Sequence, residues 1–380
     1  MNRNLSVLFE IGQLQIGGPQ SWLCDIAPAL RRRGPKVMVM SFEGREPGDL
    51  VLLQRLEAEG IEARRVPVWG GRWRRRRAVD EAFKAVGRCD IAHFLSDAYS
   101  GPYLPFAKHC GIPVRIIHAR TPNWAPAGPS LRVKLRYHWY WWLSRHYCTH
   151  AFGVTQEALE TMLGPTCRPR VPRLVVPSAV SFARFRKHAD LRAQHCRERT
   201  PADLVLGFVG RISPSKNPGF LVKVLSVLRA RGIEAKLLLL GNGSAEAQVR
   251  DLAAQEDLAD RVEFLPPCMD VAEVMAQRMD ILLLPSDYEG TPRVVVESQA
   301  SGVPVLCSTA VSTSVCVVPE LFHRLPLADG PVAWADELLR LAKVRVPRQR
   351  VEECFAGSPL EIENQADHLL ELYQRFLTIS

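Results

Sequence analysis

The chain has 380 residues, 47% of them hydrophobic and 23% charged, with a formal net charge of +9. That length holds two ordinary domains. The composition is that of a soluble globular protein rather than a disordered or fibrous one, and no run of 18 or more apolar residues marks a transmembrane helix. The charge is lopsided: residues 1–190 carry 29 Lys+Arg against 15 Asp+Glu, and residues 191–380 carry 20 against 25. A basic first half and a mildly acidic second half point to two domains with different partners, the first facing anionic lipid, an anionic acceptor or nucleic acid.

Ten cysteines stand scattered at 24, 89, 110, 148, 167, 196, 268, 307, 316 and 354, with no Cys-x-x-Cys and no Cys/His pair at zinc spacing. That usage fits reduced thiols in a cytosolic protein better than a disulfide frame or a metal site. MNRNLSVLFEIGQL has neither the apolar run nor the cleavage site of a secretory signal and reads as the first strand of a folded domain.

In chain order, SVLFEIG, KVMVMSF, IEARRVPV, CDIAHFL, VRIIHA and THAFGV have the apolar, β-rich character of strands, with helix-length amphipathic stretches between them. The first strand leads into Gly17-Gly18 and a helix. GGRWRRRRAVD sets Arg72, Arg74, Arg75, Arg76 and Arg77 around Trp73. SLRVKLRYHWYWWLSRHY mixes Arg132, Lys134, Arg136 and Arg145 with Tyr137, Trp139, Tyr140, Trp141 and Trp142. Arginine attracts lipid phosphates and Trp and Tyr favour the bilayer interface, so both stretches have the chemistry of an anionic membrane surface. Helix-core aromatics beside a solvated basic face would give the same pattern. No nucleic-acid motif accompanies the charge, and none is expected to bind.

Residues 175–200 are polar, basic and weakly patterned, and the division is drawn at 178/179. LVLGFVG, AKLLLLG, RVEFLP, DILLLP and VPVLCS are the strands of the second half. Near-continuous apolar strands separated by helices predict two doubly wound α/β domains with parallel sheets. Ligands of such sheets sit beyond the carboxyl ends of the strands. After LVLGFVG come Arg211 and Lys216, two cations five residues apart at a strand end and a helix start, able to clamp a diphosphate. Gly241 follows the next strand. In DILLLPSDYEGTPRVVVESQASG, Thr291-Pro292 has the form of an N-cap and first-turn proline, and Gly302 that of a helix stop. Glu289 then lies in the loop before the helix and Glu297 inside it. Arg293 and Val294 supply the helix's first amides, a place for a phosphate. The last stretch spaces Ala366, Leu369, Leu370, Leu372, Tyr373 and Phe376 as one helical face over about 362–380.

Together these segments resemble the family 4 glycosyltransferases of the GT-B fold, most strongly over about 200–310. There GFVGRISPSKNP, LLLLGNGS, VEFLPP and DILLLPSDYEGTPRVVVESQASGVPVL follow in that family's order and spacing. The resemblance implies two Rossmann-like domains with an interdomain cleft: an acceptor-binding domain over 1–178, onto which helix 362–380 packs back, and a nucleotide-sugar domain over 179–361. It implies a retaining, metal-independent transfer of a hexose-type sugar from a nucleotide-diphosphate sugar to a glycan or lipid-linked acceptor, of the cell-surface polysaccharide or lipopolysaccharide type. No cofactor is expected. Glu289 would bond hydroxyls of the donor sugar, Glu297 the ribose, and the stretch Gly290, Thr291, Pro292, Arg293 and Val294 would touch the diphosphate. Arg211 and Lys216 match the family's phosphate-binding pair, Gly17, Gly18 and Gly241 its glycine turns, and His118 a histidine that reaches the sugar. His93 reads as structural, or as a support behind the site residues.

The chain departs from the family at Ser178-Ala179, where Asn-Gly is common, at Ser298, where Ala follows the second glutamate, and at Pro266, in place of a glycine near the base pocket. No Asp-x-Asp motif is present. Three other functions stay open from the residues themselves: a hydrolase using Glu289 and Glu297 as acid and base, a non-catalytic or nucleic-acid-binding relative, and a sugar-nucleotide epimerase. The location expected is cytoplasmic, peripheral on the inner face of the membrane.

Overall fold

The computed structural model describes residues 5–14, 16–43, 50–121, 130–164, 171–188, 192–193, 204–268 and 270–379. Cys167, Cys196 and much of the expected 175–200 boundary stretch lie outside them. The chain divides into two compact units: residues 1–178 with 362–380, and residues 179–361.

Among the described residues, the first unit holds a seven-stranded parallel sheet: β1 (Ser6–Ile11), β2 (Lys36–Glu43), β3 (Glu62–Pro67), β4 (Ile91–Phe94), β5 (Val114–Ala119), β6 (His150–Gly153) and β7 (Arg173–Val175), in the order β3-β2-β1-β4-β5-β6-β7. Its helices are α1 (Gly18–Arg32), α2 (Leu50–Ala58), α3 (Arg72–Val86), α4 (Leu104–His109), α5 (Leu131–Tyr147) and α6 (Gln156–Leu163). α3 packs on α4, and α4 on α5.

The second unit begins with α7 (Phe182–Arg186). Among the described residues its parallel sheet has six strands: β8 (Leu204–Val209), β9 (Ala235–Leu240), β10 (Val262–Leu265), β11 (Ile281–Leu284), β12 (Val305–Ser308) and β13 (Phe322–Leu325), ordered β10-β9-β8-β11-β12-β13. Between and after them come α8 (Pro218–Ala230), α9 (Glu246–Gln255), α10 (Val271–Arg278), α11 (Arg293–Ala300), α12 (Gly330–Leu341) and α13 (Arg348–Ala356). Both units are thus Rossmann-like, as the alternation of apolar runs and amphipathic stretches predicts.

Burial explains why the central strands were readable. Every residue of β1, β8 and β11 is buried, because helices cover both faces of a parallel sheet. The edge strands β7 and β13 escape that criterion: RLV and FHRL keep exposed or half-buried positions along their length. Strand order was not readable at all, and it matters most. Order reverses between β1 and β4 in the first unit and between β8 and β11 in the second, where loops leaving neighbouring strand ends diverge and open a crevice.

α14 (Ile362–Ile379) closes the chain but belongs to the first unit. Ala366, Leu369, Leu372, Tyr373 and Phe376 are buried, while Leu370 of the same apolar face is half-buried. Arg33 at the end of α1 ties to Asp367 at 2.6 Å and Glu363 at 2.6 Å, and Trp22 Nε1 donates to Gln365 Oε1 at 2.6 Å. Leu369 is wholly inaccessible, so Leu369→Ala leaves a cavity in the first unit. Its urea unfolding midpoint should fall by an amount equivalent to about 2–5 kcal/mol; an unchanged midpoint would detach α14 from that core.

Candidate functional site

In the second unit the switch point gathers the expected residues from two loops. β8 ends at Val209, and Arg211 follows it, exposed. A single 3₁₀ turn, Pro214–Lys216, then leads through Asn217, left-handed at φ 50°, into α8. The loop after β11 carries Glu289. Lys216 Nζ is ion-paired to Glu289 Oε1, Ser286 Oγ donates to the same oxygen at 2.7 Å, and the Asp287 amide donates to Ser215 O at 2.9 Å. The two loops are therefore laced together by side chain and backbone. Ser286 is buried, and its own carbonyl accepts from Ser308 Oγ of β12 at 2.5 Å.

Gly241 meets this framework through packing. Its φ is +147°, and a Cβ there would stand 1.9 Å from Gly210 O. Only glycine lets the turn after β9 lie against the turn after β8.

The helix after Glu289 begins one residue later than the Thr-Pro signal implies. Pro292, extended at ψ 100°, is the N-cap, and α11 runs Arg293–Ala300 before Gly302 at φ +68°. Thr291 is thus outside the helix, because the proline takes the extended cap conformation itself. Val295 makes the first backbone bond, to Pro292 O at 3.0 Å; the amides of Arg293 and Val294 precede it, and Gly290 and Thr291 are half-buried beside them.

Glu297 has a different environment from Glu289. It is buried, with Arg293 Nη2 3.4 Å from Oε1 one turn earlier. Arg293, also buried, donates through Nη1 to Ala179 O at the start of this unit. The two carboxylates eight residues apart are therefore not equivalent: one sits in a loop beside Lys216, the other is held inside a helix by an arginine. Ser298, a departure from the family pattern, donates to Val303 O at 2.8 Å and ties the helix to the chain leading into β12. A cavity of about 200 Å³ lined by Phe182, Arg186, Arg192, Gly302 and Arg345 lies at the far end of α11, away from Glu289.

In the first unit Gly17 caps α1 in an extended conformation (φ −174°), and a Cβ on Gly18 would meet nothing within 4 Å. His118 stands on β5 with no solvent exposure; its ring nitrogens face His93 Nε2 at 3.1 Å and Val176 O at 3.1 Å. The same unit also holds acidic groups that were not singled out in the sequence. Glu10, on β1, accepts from Ser96 Oγ at 3.0 Å and Ser100 Oγ at 2.8 Å, and burial pushes its carboxyl up to about 7. Asp97, strained at φ 49°, accepts from the Arg120 amide at 2.5 Å, and its carboxyl is raised to about 6 by burial. The available signal for Glu10 was one carboxylate in the otherwise apolar strand SVLFEI.

The model of the family Glycosyl transferases group 1 matches residues 196–352. The match covers less than half of the chain. The stretch contains β8 to β13 and both loops of the Lys216–Glu289 pair. Putative glycosyltransferase EpsF of Bacillus subtilis (strain 168) is 28% identical over 300 residues, covering 78% of this chain and 78% of EpsF. D-inositol 3-phosphate glycosyltransferase of Nocardia farcinica (strain IFM 10152) is 30% identical over 213 residues, 53% of this chain; the chain spans only 47% of that protein's length. Among solved structures, Anabaena Alr3699/HepE in complex with UDP superposes with a TM-score of 0.74 at 17% identity, over 98% of this chain and all of that one. The fold is that of the GT-B glycosyltransferases.

Glu10 yields a pH prediction. Its folded pKa of about 7 lies above the ordinary 4.5, so the native state keeps a proton that the unfolded chain has already lost. Stability therefore falls as pH rises through that window. Between pH 5 and pH 8 the wild type should lose about 2–3 kcal/mol relative to Glu10→Gln, measured by urea unfolding at each pH. Parallel curves for the two proteins would show that Glu10 is ionised in the native state throughout.

Proposed function

We propose that the protein is a retaining glycosyltransferase that moves a hexose-type sugar from a nucleotide-diphosphate sugar to a glycan or lipid-linked acceptor of cell-surface polysaccharide or lipopolysaccharide synthesis. The observation that carries this reading is the Lys216–Glu289 pair at the β8/β11 switch point, beside the first turn of α11. A cation, a fixed carboxylate and helix-start amides answer the three parts of such a donor. The diphosphate needs positive charge as the anomeric bond breaks, and Arg211, Lys216 and the amides of Arg293 and Val294 supply it in the role a metal has elsewhere. The sugar needs hydroxyl acceptors, which Glu289 provides in an orientation fixed by Ser286. Gly17 and Gly18, where no neighbouring side chain fills the space a Cβ would take at Gly18, give room for the donor phosphates. His118 is assigned to the sugar, and Glu297 to the ribose. The bound UDP of the structural neighbour supports a nucleotide donor.

The hydrolase alternative needs two carboxylates facing one bond. Glu297 sealed against Arg293 is a poor acid or base for that. An epimerase would turn over donor without acceptor, so acceptor dependence separates the two.

The acceptor surface is assigned to the first unit. On α3, α4 and α5 eleven Lys and Arg side chains meet two acids, Asp80 and Glu81. Trp73 is 81% exposed, and α5 presents Leu131, Leu135, Trp139 and Trp142 to solvent, while Tyr137 alone of its aromatics is buried. Arg77 pairs with Glu81 and Lys84 with Asp80, but the cations far outnumber these acids, and exposed Trp among them fits the headgroup layer of an anionic bilayer, each cation contributing about 1 kcal/mol. Among the described residues no helix is long and apolar enough to cross a membrane.

Two measurements test these assignments. Glu289→Gln and Lys216→Ala should each lower transfer by at least about a hundredfold with circular dichroism unchanged, in assays started from a nucleotide-sugar panel ranked by thermal shift; near-normal turnover in both would sink the site. The wild-type protein should float with phosphatidylglycerol vesicles and not with phosphatidylcholine. Reversing Arg74, Arg75, Arg76 and Arg77 to Glu should abolish flotation without touching transfer to a soluble acceptor, and equal flotation with both lipids would remove the electrostatic assignment.

A further inference from the structure

Four groups from separate elements of the first unit form an unbroken hydrogen-bonded line. Tyr373 Oη of α14 lies 2.6 Å from His93 Nδ1 on β4, His93 Nε2 lies 3.1 Å from His118 Nδ1 on β5, and His118 Nε2 lies 3.1 Å from the carbonyl oxygen of Val176, just past β7. All three side chains are wholly buried. Their other neighbours are Phe9, Trp22 and Phe152, from β1, α1 and β6, with ring centroids 5.2–6.1 Å from a histidine ring.

The carbonyl at one end decides every proton in the line. A carbonyl oxygen only accepts, so His118 Nε2 carries a hydrogen. Burial first, then the nearby Arg120 charge, hold both rings in the neutral form; His93 is lowered to about 3 and His118 is shifted the same way, with His93 adding to the effect. Neutral His118 therefore has a bare Nδ1, which must accept. His93 Nε2 then donates to it, His93 Nδ1 is bare in turn, and the Tyr373 hydroxyl donates to that. Burial keeps Tyr373 protonated, its pKa well above the ordinary value. All three bonds run in one direction, from α14 toward Val176, and successive bonds polarise one another.

We propose that Tyr373 is a positioning residue for His118: acting through His93, it fixes His118 as a hydrogen-bond donor at Nε2, so that this histidine presents a proton to whatever oxygen takes the place of Val176 O and never acts as a base. This rests on the assignment of His118 to the donor sugar and deepens it, because a fixed donor suits a sugar hydroxyl or the leaving oxygen and excludes general-base activation of the acceptor. Gln365, one turn from α14's start, donates to Pro177 O at 2.6 Å, so α14 braces both ends of the line.

The test uses the full chain labelled with ¹⁵N-histidine. In the wild type, His93 and His118 should each show one neutral tautomer, protonated at Nε2, with no titration from pH 5.5 to 8.5. Tyr373→Phe keeps the ring that fills the core and removes only the donor. It should move the His93 Nδ1 resonance to that of an unbonded nitrogen, displace His118 Nδ1 in the same sense, and lower kcat about tenfold with the donor KM nearly unchanged. An Nδ1-protonated His118, a His118 that titrates in this range, or a Tyr373→Phe variant with unaltered His118 resonances would overturn the proposal. The resonances are read without turnover, so absence of transferase activity with a correct proton order would sink the functional assignment and leave the line standing.

Discussion

The ammonium of Lys216 reaches from the loop after β8 to the carboxylate of Glu289 in the loop after β11. Those loops leave neighbouring parallel strands at the point where strand order reverses, and loops there diverge unless something ties them. This ion pair does so, with Ser286 Oγ and the Asp287–Ser215 backbone bond as its support. Glu289 keeps only 8% of its side-chain surface and Lys216 26%. An ion pair so far out of water holds together because losing either partner strands the other's charge in a poorly solvated place. The positions of α11, of the amides at its start and of Arg211 on the neighbouring turn all refer back to that contact.

The first unit solves a related problem without an ion pair. Around its own reversal of strand order lie four titratable groups: His93 and His118, packed among Phe9, Trp22 and Phe152, Glu10, held by Ser96 and Ser100, and Asp97, bonded by the Arg120 amide. Charged, they would be costly there. The protein avoids the charge: the carboxyls of Glu10 and Asp97 are raised and the histidines lowered, each driven first by burial. What results is a pair of neutral histidines with fixed hydrogen-bond directions and two carboxyls held above their ordinary range. α14 supplies the first donor of the histidine line, so the last helix of the chain is part of the polar core of the first unit as well as its apolar one.

The sequence was informative where chemistry and burial coincide. Buried central strands such as VLFEI and ILLL declare themselves by composition, and the Glu289-to-Glu297 spacing placed one carboxylate in a loop and one in a helix. It was silent where a property belongs to two distant segments. Nothing local in DYEGTPRVVVE shows that Arg293 turns inward to Ala179 O and Glu297 and not toward a ligand. Gly241 looks like any strand-end glycine until Gly210 O is found where its Cβ would be. Tyr373 reads as one more apolar position in a helical stripe, since its partner lies 280 residues away. Edge strands β7 and β13 were missed because partial exposure removes the apolar run that betrays their neighbours.

The same pair that holds the loops also constrains how a donor could enter. Lys216 and Glu289 satisfy each other, so a diphosphate arriving alone must compete with a carboxylate for its cation, and a sugar arriving alone must compete with a cation for its acceptor. A nucleotide-diphosphate sugar, the proposed donor, offers both replacements on one molecule: phosphate oxygens for Lys216 and hydroxyls for Glu289. Each of the two side chains then exchanges one charge-assisted partner for another, with Ser286 keeping Glu289 in place while its partner changes. Inorganic phosphate or free hexose repays only half of what it disrupts. Selectivity for the intact donor would follow from the pair itself, before any contact with the base is considered.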